Sequence, residues 1–376
     1  MRRPLLFCCV LSLATAEPRT AQAGDLAGWT LFGKPGEMIP VGKGSRLSLY
    51  CVGSGSPTIV LETGFGGGTA LTWHKLQPLL GSVTRTCSYD RAGYGFSELG
   101  NNLPRDLEHM VEDLGAMLAR SGEKPPYVLV GHSNGGYVTS VYAKLHPRQI
   151  AGLIFLDAAV SLPEDVQAAG ARKEPVSDGL QSRLDRLRRC LERSRKKDAG
   201  PISGPGNECV DTHHYSALPG PAAAVEISNR SKPDYWRAYL SEAESNYKGL
   251  ISGQARKYLP HKWENIPVRV FIASITSLPD KDAAKAFGID AGGRGALQEA
   301  RANRARWEKR QARLCDLASD CQVFRIPTHE HMVHNAALET VMEQIRVLVL
   351  NVRLAPPQQA RPPELSPRAT APTPPQ

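Results

Sequence analysis

The chain has 376 residues, a formal net charge of +9 and 41% hydrophobic residues. This length and apolar content suffice for one large α/β domain or two ordinary ones, which excludes a largely disordered protein. Beyond the N-terminal segment, no stretch is apolar over the roughly 20 residues that a membrane span needs, which excludes a multispan membrane protein.

The first 23 residues have the three parts of a secretory signal peptide. Two arginines precede an apolar run over residues 5–16, and the small-residue pattern at 21–23 stands before Gly24. We therefore expect removal of residues 1–23 on export, to a periplasm or to the outside of the cell. Cleavage after Ala16 and a short anchor left in place are the alternatives.

Six cysteines follow the signal segment, and an even number favours disulfides in an exported chain. None forms a CxxC pair, so the sequence does not predict a structural zinc site. Short loops favour two pairs, and the remaining two cysteines then form the third. The predicted pairs are Cys190 with Cys209, Cys315 with Cys321, and Cys51 with Cys87.

Positive charge is concentrated in two stretches of the chain. Residues 172–197 hold ten Lys or Arg against four Asp or Glu, and residues 294–313 hold seven against two. Both have the composition of solvated helices and lack the interleaved aromatic residues of a nucleic-acid surface. The sequence predicts no nucleic-acid partner, with weak association with anionic surfaces as the alternative to plain basic faces. It leaves the oligomeric state open.

Predicted strands and helices alternate along most of the chain. A hairpin is predicted at 37–52, and strands at 58–62, 83–89, 127–130, 150–156, 268–273 and 322–326. Helices are predicted at 103–120, from 133 onward, at 234–247 and at 337–352. This alternation predicts an α/β fold in which a mostly parallel, twisted sheet carries helices on both faces.

Two segments interrupt or follow this alternation. Residues 160–262 are polar and helical in pattern, and we interpret them as an insertion within a domain spanning 24–354. The insertion is expected to form a lid. Its apolar candidate lining residues are Leu162, Val166, Leu218, Val225, Trp236 and Tyr239. Residues 355–376 contain eight prolines and are expected to be a disordered tail.

The segment Gly131-His132-Ser133-Asn134-Gly135-Gly136 follows a predicted strand and opens a predicted helix. This is the context of the GxSxG nucleophile elbow, whose tight turn requires small residues two positions before and after the serine. The pattern predicts Ser133 as a nucleophile. The alternative is a glycine-rich turn that contains a serine by chance.

A nucleophilic serine needs a general base, and His331 has the best position, between the last strand and the closing helix. His329 is the alternative. The two histidines could also suggest a metal pair, but no third ligand stands at a suitable spacing, so neither a metal nor another cofactor is predicted.

From about residue 37 to 352 the sequence resembles the α/β-hydrolase fold superfamily of esterases, lipases and related enzymes. The matching pieces are residues 60–67, 88–97, 153–157, the elbow and the His331 segment. The resemblance implies an oxyanion hole made by the backbone N–H groups of Phe65 and Asn134. It also implies that the second strand lies beside the fourth, which supports the Cys51–Cys87 pair independently. The family's loop often has His where this chain has Thr63, which leaves the backbone role intact.

The sequence leaves open which carboxylate is the acid partner of His331. The family's usual slot holds residues 274–279, with Asp280 and Asp282 only later. Asp157, at the end of the preceding strand, is the preferred acid, and Asp280 is the second choice before Asp282 or Glu330. A structural carboxylate that caps the start of the insertion is the noncatalytic interpretation of Asp157.

Together these residues predict an exported serine hydrolase that cleaves small carboxylic esters by a Ser-His-Asp acyl-enzyme mechanism. Alternatives on the same site are an acyltransferase, an amidase or a thioesterase. A noncatalytic binding protein with this fold is the alternative outside the enzymes. A serine rather than an aspartate nucleophile argues against epoxide hydrolase and haloalkane dehalogenase activity.

Overall fold

The computed structural model describes residues 28–162, 178–196, 201–215, 218–251, 259–260, 262–274 and 294–355. The predicted signal segment and the predicted tail, apart from its first residue, lie outside the described residues. So do five parts of the predicted insertion, at 163–177, 197–200, 216–217, 252–258 and 261. In the described ranges, no helix has both the length and the apolar composition for crossing a membrane.

Eight strands form one sheet in the order β1-β2-β4-β3-β5-β6-β9-β10. Their bounds are β1 Glu37–Gly42, β2 Ser45–Val52, β3 Thr58–Glu62, β4 Thr86–Tyr89, β5 Tyr127–His132, β6 Ile150–Leu156, β9 Val268–Ala273 and β10 Cys321–Ile326. β7 (Ser203–Gly204) and β8 (Val210–Asp211) pair separately. β2 runs antiparallel to β1 and β4, and all other neighbours in the large sheet are parallel. The predicted mostly parallel sheet is confirmed.

Helices follow most of the parallel strands. Their bounds are α1 Thr69–Trp73, α2 Leu76–Gly81, α3 Leu107–Arg120, α4 Gly135–Leu145, α5 Asp178–Arg195, α6 Gly220–Arg230, α7 Pro233–Ile251, α8 Arg294–Ala312, α9 Val333–Ala336 and α10 Leu338–Leu354. We call α5, α6 and α7 the insertion helices, because they lie between β6 and β9 within the predicted insertion.

The sheet separates two apolar layers because successive side chains of a strand point to opposite faces. Val60 and Leu129 pack with Leu114 of α3 on one face. On the other face, the adjacent strand residues Ile59, Leu61, Val128 and Val130 pack with residues of α2 and α10. This double burial explains the continuous apolar runs of the central strands.

Two predicted boundaries were wrong for local reasons. The helix predicted from residue 103 begins at Leu107, because Pro104 disfavours helix at the residue before it and Asp106 caps the helix by accepting the His109 backbone N–H at 2.9 Å. The strand predicted from Val83 begins at Thr86, since the Val83 N–H bonds back to the Leu80 carbonyl at the end of α2.

All three predicted cysteine pairs are confirmed as disulfides. Cys51 and Cys87 are directly opposed on β2 and β4, with Cα atoms 4.1 Å apart. The bridge therefore ties the antiparallel edge of the sheet to its parallel centre.

Replacing Cys51 and Cys87 together by alanine should lower the free energy of unfolding by about 3 to 4 kcal/mol. The bridged residues are 36 apart, and a cross-link restricts the unfolded chain more when it closes a longer loop. Urea unfolding would measure the loss. The matched control removes Cys315 and Cys321, which are 6 residues apart and should cost about 2 kcal/mol. Equal losses would contradict this origin of the stability.

Candidate functional site

The predicted nucleophile elbow, residues 131–135, occupies the junction between β5 and α4. Ser133 has a φ of 52°, in the left-handed region that is uncommon for residues with a side chain. A Cβ at Gly135 would lie 2.5 Å from the Glu62 carbonyl oxygen, and one at Gly131 would lie 2.6 Å from Thr139 Oγ1. Both glycines are therefore sterically required, and the sharp turn presents Ser133 at the carboxyl end of the sheet.

His331 lies in the segment between β10 and α9 and contacts two of the predicted site residues. Its Nε2 is 2.7 Å from Ser133 Oγ, and its Nδ1 is 2.7 Å from Asp157 Oδ2. Because a carboxylate only accepts, Nδ1–H donates to Asp157 and Nε2 can accept the serine hydroxyl. The His331 side chain is half-exposed, whereas the Asp157 side chain is fully buried.

Asp157 follows β6 and accepts hydrogen bonds from several directions. Arg304 Nη2 contacts its two oxygens at 2.7 and 2.8 Å, and Trp307 Nε1 donates to Oδ1 at 3.0 Å. Burial by itself raises the pKa of Asp157, but the hydrogen bond from His331 and the Arg304 charge outweigh it and hold that pKa below the usual value. The carboxylate therefore stays ionised at neutral pH.

Arg304 and Trp307 were missed by the sequence analysis. The prediction that residues 294–313 form a plain solvated basic face is wrong for Arg304, whose side chain is only 18% exposed and also donates to the Ala273 carbonyl. Residues three apart share one face of a helix, so Trp307 was a signal that the Arg304 face is partly buried.

Of the alternative predicted residues, the structure describes His329 and Glu330, and neither is part of this arrangement. Asp280 and Asp282 lie outside the described residues. Glu330 and His329 are exposed, and neither side chain hydrogen-bonds to the His331 ring or to Ser133 in the part of the chain that the structure describes.

The predicted oxyanion residues lie beside Ser133. A Cβ added to Gly64 would lie 3.0 Å from Ser133 Cβ, so the loop that carries Phe65 passes directly against the elbow. Asn134 follows Ser133 and is the N-cap residue of α4, without a hydrogen bond from its side chain to the helix N–H groups. Among the described residues, neither the Phe65 nor the Asn134 backbone N–H has a hydrogen-bond acceptor. Both N–H groups could therefore donate to a ligand oxygen.

A buried arginine donates hydrogen bonds to the backbone of this loop. Arg91 is 1% exposed, and its Nη1 donates to Glu62 Oε1 and to the Thr63 carbonyl, both at 2.8 Å. Its Nη2 donates to the Gly64 carbonyl at 2.7 Å and to Glu242 Oε1 at 2.9 Å. Arg91 is part of the 88–97 segment that carries the family resemblance, but its pattern gave no sign of these contacts.

Glu242 brings a fully buried carboxylate from α7 to the same cluster. Its Oε1 also accepts Asn134 Nδ2 at 2.9 Å, and its Oε2 accepts the Tyr94 hydroxyl at 2.5 Å. Glu242 was not predicted from the sequence either. Its signal was its spacing, since Glu242 lies seven residues after Tyr235 and three after Tyr239, on one face of the helix.

Two further histidines support the His331 segment. The His132 Nε2 lies 3.2 Å from the His331 carbonyl oxygen, and the His334 Nε2 lies 2.8 Å from the Thr72 carbonyl oxygen. Burial lowers the pKa of His132 well below its usual value and that of His334 to about 4, so both are neutral at physiological pH. His132, expected to be a surface or locally bonded residue, is instead buried.

A cavity of about 970 Å³ opens above Ser133. Its wall combines the Phe65 loop, the elbow, the His331 segment and side chains of the insertion helices. Of the candidate lining residues, Tyr239 lines the cavity, whereas Leu162 and Trp236 are each 2% exposed and pack in the core. Leu218 and Val225 do not line it, and Val166 lies outside the described residues. The volume is within the range of small-molecule sites.

The described residues contain one cluster with the composition of a metal site, Cys51, Cys87 and Glu123. The two sulfurs are bonded to each other in a disulfide, so they are not available as thiolate ligands.

Comparisons with known proteins agree with this fold. The family model described as "alpha/beta hydrolase fold" matches residues 57–202. Over 32% of this chain, the sequence is 33% identical to the uncharacterized protein YbdG of Bacillus subtilis. Over 44% of the chain, it is 30% identical to Lipase LipV of Mycobacterium tuberculosis. Over 40% of the chain, it is 31% identical to a pimeloyl-[acyl-carrier protein] methyl ester esterase of Edwardsiella ictaluri. These matches cover 37%, 60% and 55% of the respective relatives, less than two thirds in each case.

Solved structures extend the likeness to most of the chain. The epoxide hydrolase CorEH superposes with a TM-score of 0.55 at 16% identity, over 84% of this chain and 98% of that one. The bottromycin epimerase BotH superposes with a TM-score of 0.51 at 14% identity, over 84% of this chain and 100% of that one. At such identities the likeness concerns the fold alone, and the two names show that this fold carries different reactions.

Proposed function

Because this chain belongs to the α/β-hydrolase fold superfamily, we propose that it is a serine hydrolase that cleaves carboxylic esters through an acyl-enzyme on Ser133. The proposal rests on the chain of two 2.7 Å contacts that runs from Ser133 through His331 to Asp157. A lipase and a methyl ester esterase among the relatives support ester hydrolysis over other reactions of the fold.

In the first step, Ser133 Oγ attacks the ester carbonyl carbon while His331 Nε2 takes the hydroxyl proton. The Asp157 carboxylate stabilises the resulting imidazolium at Nδ1. The carbonyl oxygen becomes an oxyanion that accepts hydrogen bonds from the Phe65 and Asn134 N–H groups. Collapse of this intermediate breaks the ester C–O bond, and His331 Nε2–H returns its proton to the departing alkoxide.

In the second step, water replaces the alcohol in the site. His331 Nε2 takes a proton from this water, whose oxygen attacks the acyl carbon, and the same two N–H groups hold the second oxyanion. The acid product leaves when Ser133 Oγ regains the proton from His331. Each step uses side chains and backbone N–H groups of this chain, together with water.

The insertion helices serve as a lid in this proposal. Tyr239 and Ala243 of α7 and Arg183 of α5 line the cavity above Ser133, so they limit the size and shape of the ester that enters. Export is part of the same proposal, because three disulfides favour an oxidising compartment.

A fluorophosphonate probe tests the nucleophile directly. We expect the purified protein to gain the mass of one phosphonyl group on the Ser133 peptide and to hydrolyse a short p-nitrophenyl ester. Ser133→Ala should lose both properties, while Ser140→Ala, a change on the following helix, should keep both. A folded wild-type protein with neither labelling nor turnover would contradict the proposal and favour a noncatalytic binding protein.

A further inference from the structure

A carboxylate of the insertion contacts one half of the proposed oxyanion hole directly and the other half through Arg91. Glu242 Oε1 accepts Asn134 Nδ2 and Arg91 Nη2, both at 2.9 Å. The same Arg91 Nη2 donates to the Gly64 carbonyl oxygen at 2.7 Å. Glu242 is 0% exposed and Arg91 is 1% exposed, so these contacts form away from water. One oxygen atom of α7 therefore joins the loop after β3 to the elbow after β5.

The contact at Gly64 determines the direction of the Phe65 N–H. The Gly64 carbonyl and the Phe65 N–H belong to one planar peptide unit, so a hydrogen bond that fixes the oxygen also fixes the N–H on its opposite side. Arg91 makes that hydrogen bond, and Glu242 together with Glu62 holds the Arg91 guanidinium in place.

The second half of the oxyanion hole is held by the same helix. Asn134 Nδ2 donates to Glu242 Oε1, and Asn134 Oδ1 accepts Asn246 Nδ2 at 3.3 Å. Glu242 and Asn246 are four residues apart and lie on one face of α7. The Asn134 side chain is thus bound at both ends of its amide by α7, which restrains the residue whose backbone N–H is the second oxyanion donor.

We propose that Glu242 is a positioning residue for the oxyanion hole, which makes α7 part of the catalytic framework as well as a lid. The inference rests on the proposed function, because it gives Phe65 and Asn134 their oxyanion role. Glu242 touches no reacting atom and acts through Arg91 and Asn134.

The chemistry of the side chain favours glutamate over glutamine at this position. Three donors surround Glu242, two at Oε1 and the Tyr94 hydroxyl at Oε2. A carboxylate can accept all three, whereas a glutamine would turn its NH₂ group towards at least one of them. Glu242→Gln therefore keeps the size of the side chain but removes the negative charge that holds the Arg91 guanidinium.

The experiment compares Glu242→Gln with Glu244→Gln, a control on the same helix whose carboxylate forms a partly exposed pair with Arg188. We expect Glu242→Gln to lower kcat for a p-nitrophenyl ester by about 100-fold, because displacing a reacting group by about 1 Å has this effect. KM should change little. The inhibition constant of a trifluoromethyl ketone, which forms a tetrahedral oxyanion on serine, should rise by a similar factor. The control should match the wild type.

A second variant covers the case in which Glu242→Gln does not fold. Asn134→Ala removes the side chain that Glu242 binds and keeps the backbone N–H. It should therefore also lower kcat and weaken inhibition by the trifluoromethyl ketone. Unchanged kcat and ketone inhibition in a folded variant, with only the thermal midpoint lowered, would overturn the positioning role. Turnover by the wild type separates this failure from that of the proposed function, which predicts no particular effect at Glu242.

Discussion

Asp157→Asn should lower kcat/KM for a p-nitrophenyl ester by about 10⁴-fold. An asparagine can face His331 with its NH₂ group, and the imidazole then carries its proton on Nε2, where it cannot accept the Ser133 hydroxyl proton. Its amide oxygen can still accept Arg304, so the fold should survive. Initial rates over a range of ester concentrations measure the effect, and a thermal scan verifies folding.

Asp280→Asn and Asp282→Asn are the matched controls for this prediction. Both carboxylates were alternatives for the triad acid, and both variants should keep the wild-type rate if Asp157 has that role. A large loss in Asp280→Asn, together with a rate near that of the wild type in Asp157→Asn, would move the acid role to Asp280. Asp157 would then be the structural carboxylate that caps the start of the insertion.

Arg91→Met should lower the free energy of unfolding by about 3 to 5 kcal/mol at neutral pH, because it leaves two buried carboxylates without their shared cation. Glu62 and Glu242 are both 0% exposed and both contact the Arg91 guanidinium within 3 Å. Denaturant unfolding measures the loss. Arg91→Lys keeps the charge but not the two-sided contacts, so its stability should be intermediate.

The matched control is Arg46→Met, which removes the same side chain from the Arg46–Glu98 pair. That pair has side-chain exposures of 54% and 41%, and water screens its charges, so its removal should leave the unfolding midpoint near that of the wild type. Similar losses of unfolding free energy in Arg91→Met and Arg46→Met would contradict the prediction that the buried cluster stabilises the fold more than an exposed ion pair does.

The Arg91→Met loss should also depend on pH. Burial raises the pKa of Glu62 in the folded wild type above its ordinary value, despite the Arg91 charge. Without Arg91 that pKa rises further, so the folded variant binds a proton that the unfolded chain releases. The stability of the variant then decreases as pH rises from the pKa of Glu62 in the unfolded chain to its raised pKa in the folded variant, and it recovers as pH falls. The difference from the wild type should therefore shrink from pH 8 to pH 5.5.

The fold could be predicted from sequence because its determinants are local. Apolar runs such as 150–156 need burial on both faces, and the glycines around Ser133 permit one turn geometry. The cysteine pairs were also predictable, since two are short-range and the third joins strands that the family places side by side. The two strand and helix starts that were wrong lie where a cap or a turn overrides periodicity, as at Asp106.

The parts of the site that could not be predicted are held by contacts between distant residues. Arg304 meets Asp157 across 147 residues, and Glu242 meets Arg91 across 151. Each is a charged residue on a helix, and from sequence such residues are usually solvated. The aromatic residues Trp307 and Tyr239 on the same helix faces indicated burial, but only the tertiary fold shows which partner each charged residue contacts.

The buried contact between α7 and the sheet also bears on how this architecture can diversify. An insertion exchanged for that of a relative would have to supply an acceptor at the place of Glu242, or the graft would leave Arg91 with one carboxylate and Asn134 without its partner. The insertion is therefore not an independent module. Substitutions at Tyr239 and Ala243 can change the shape of the cavity without removing these contacts. Both residues line the cavity and make no hydrogen bond to Arg91.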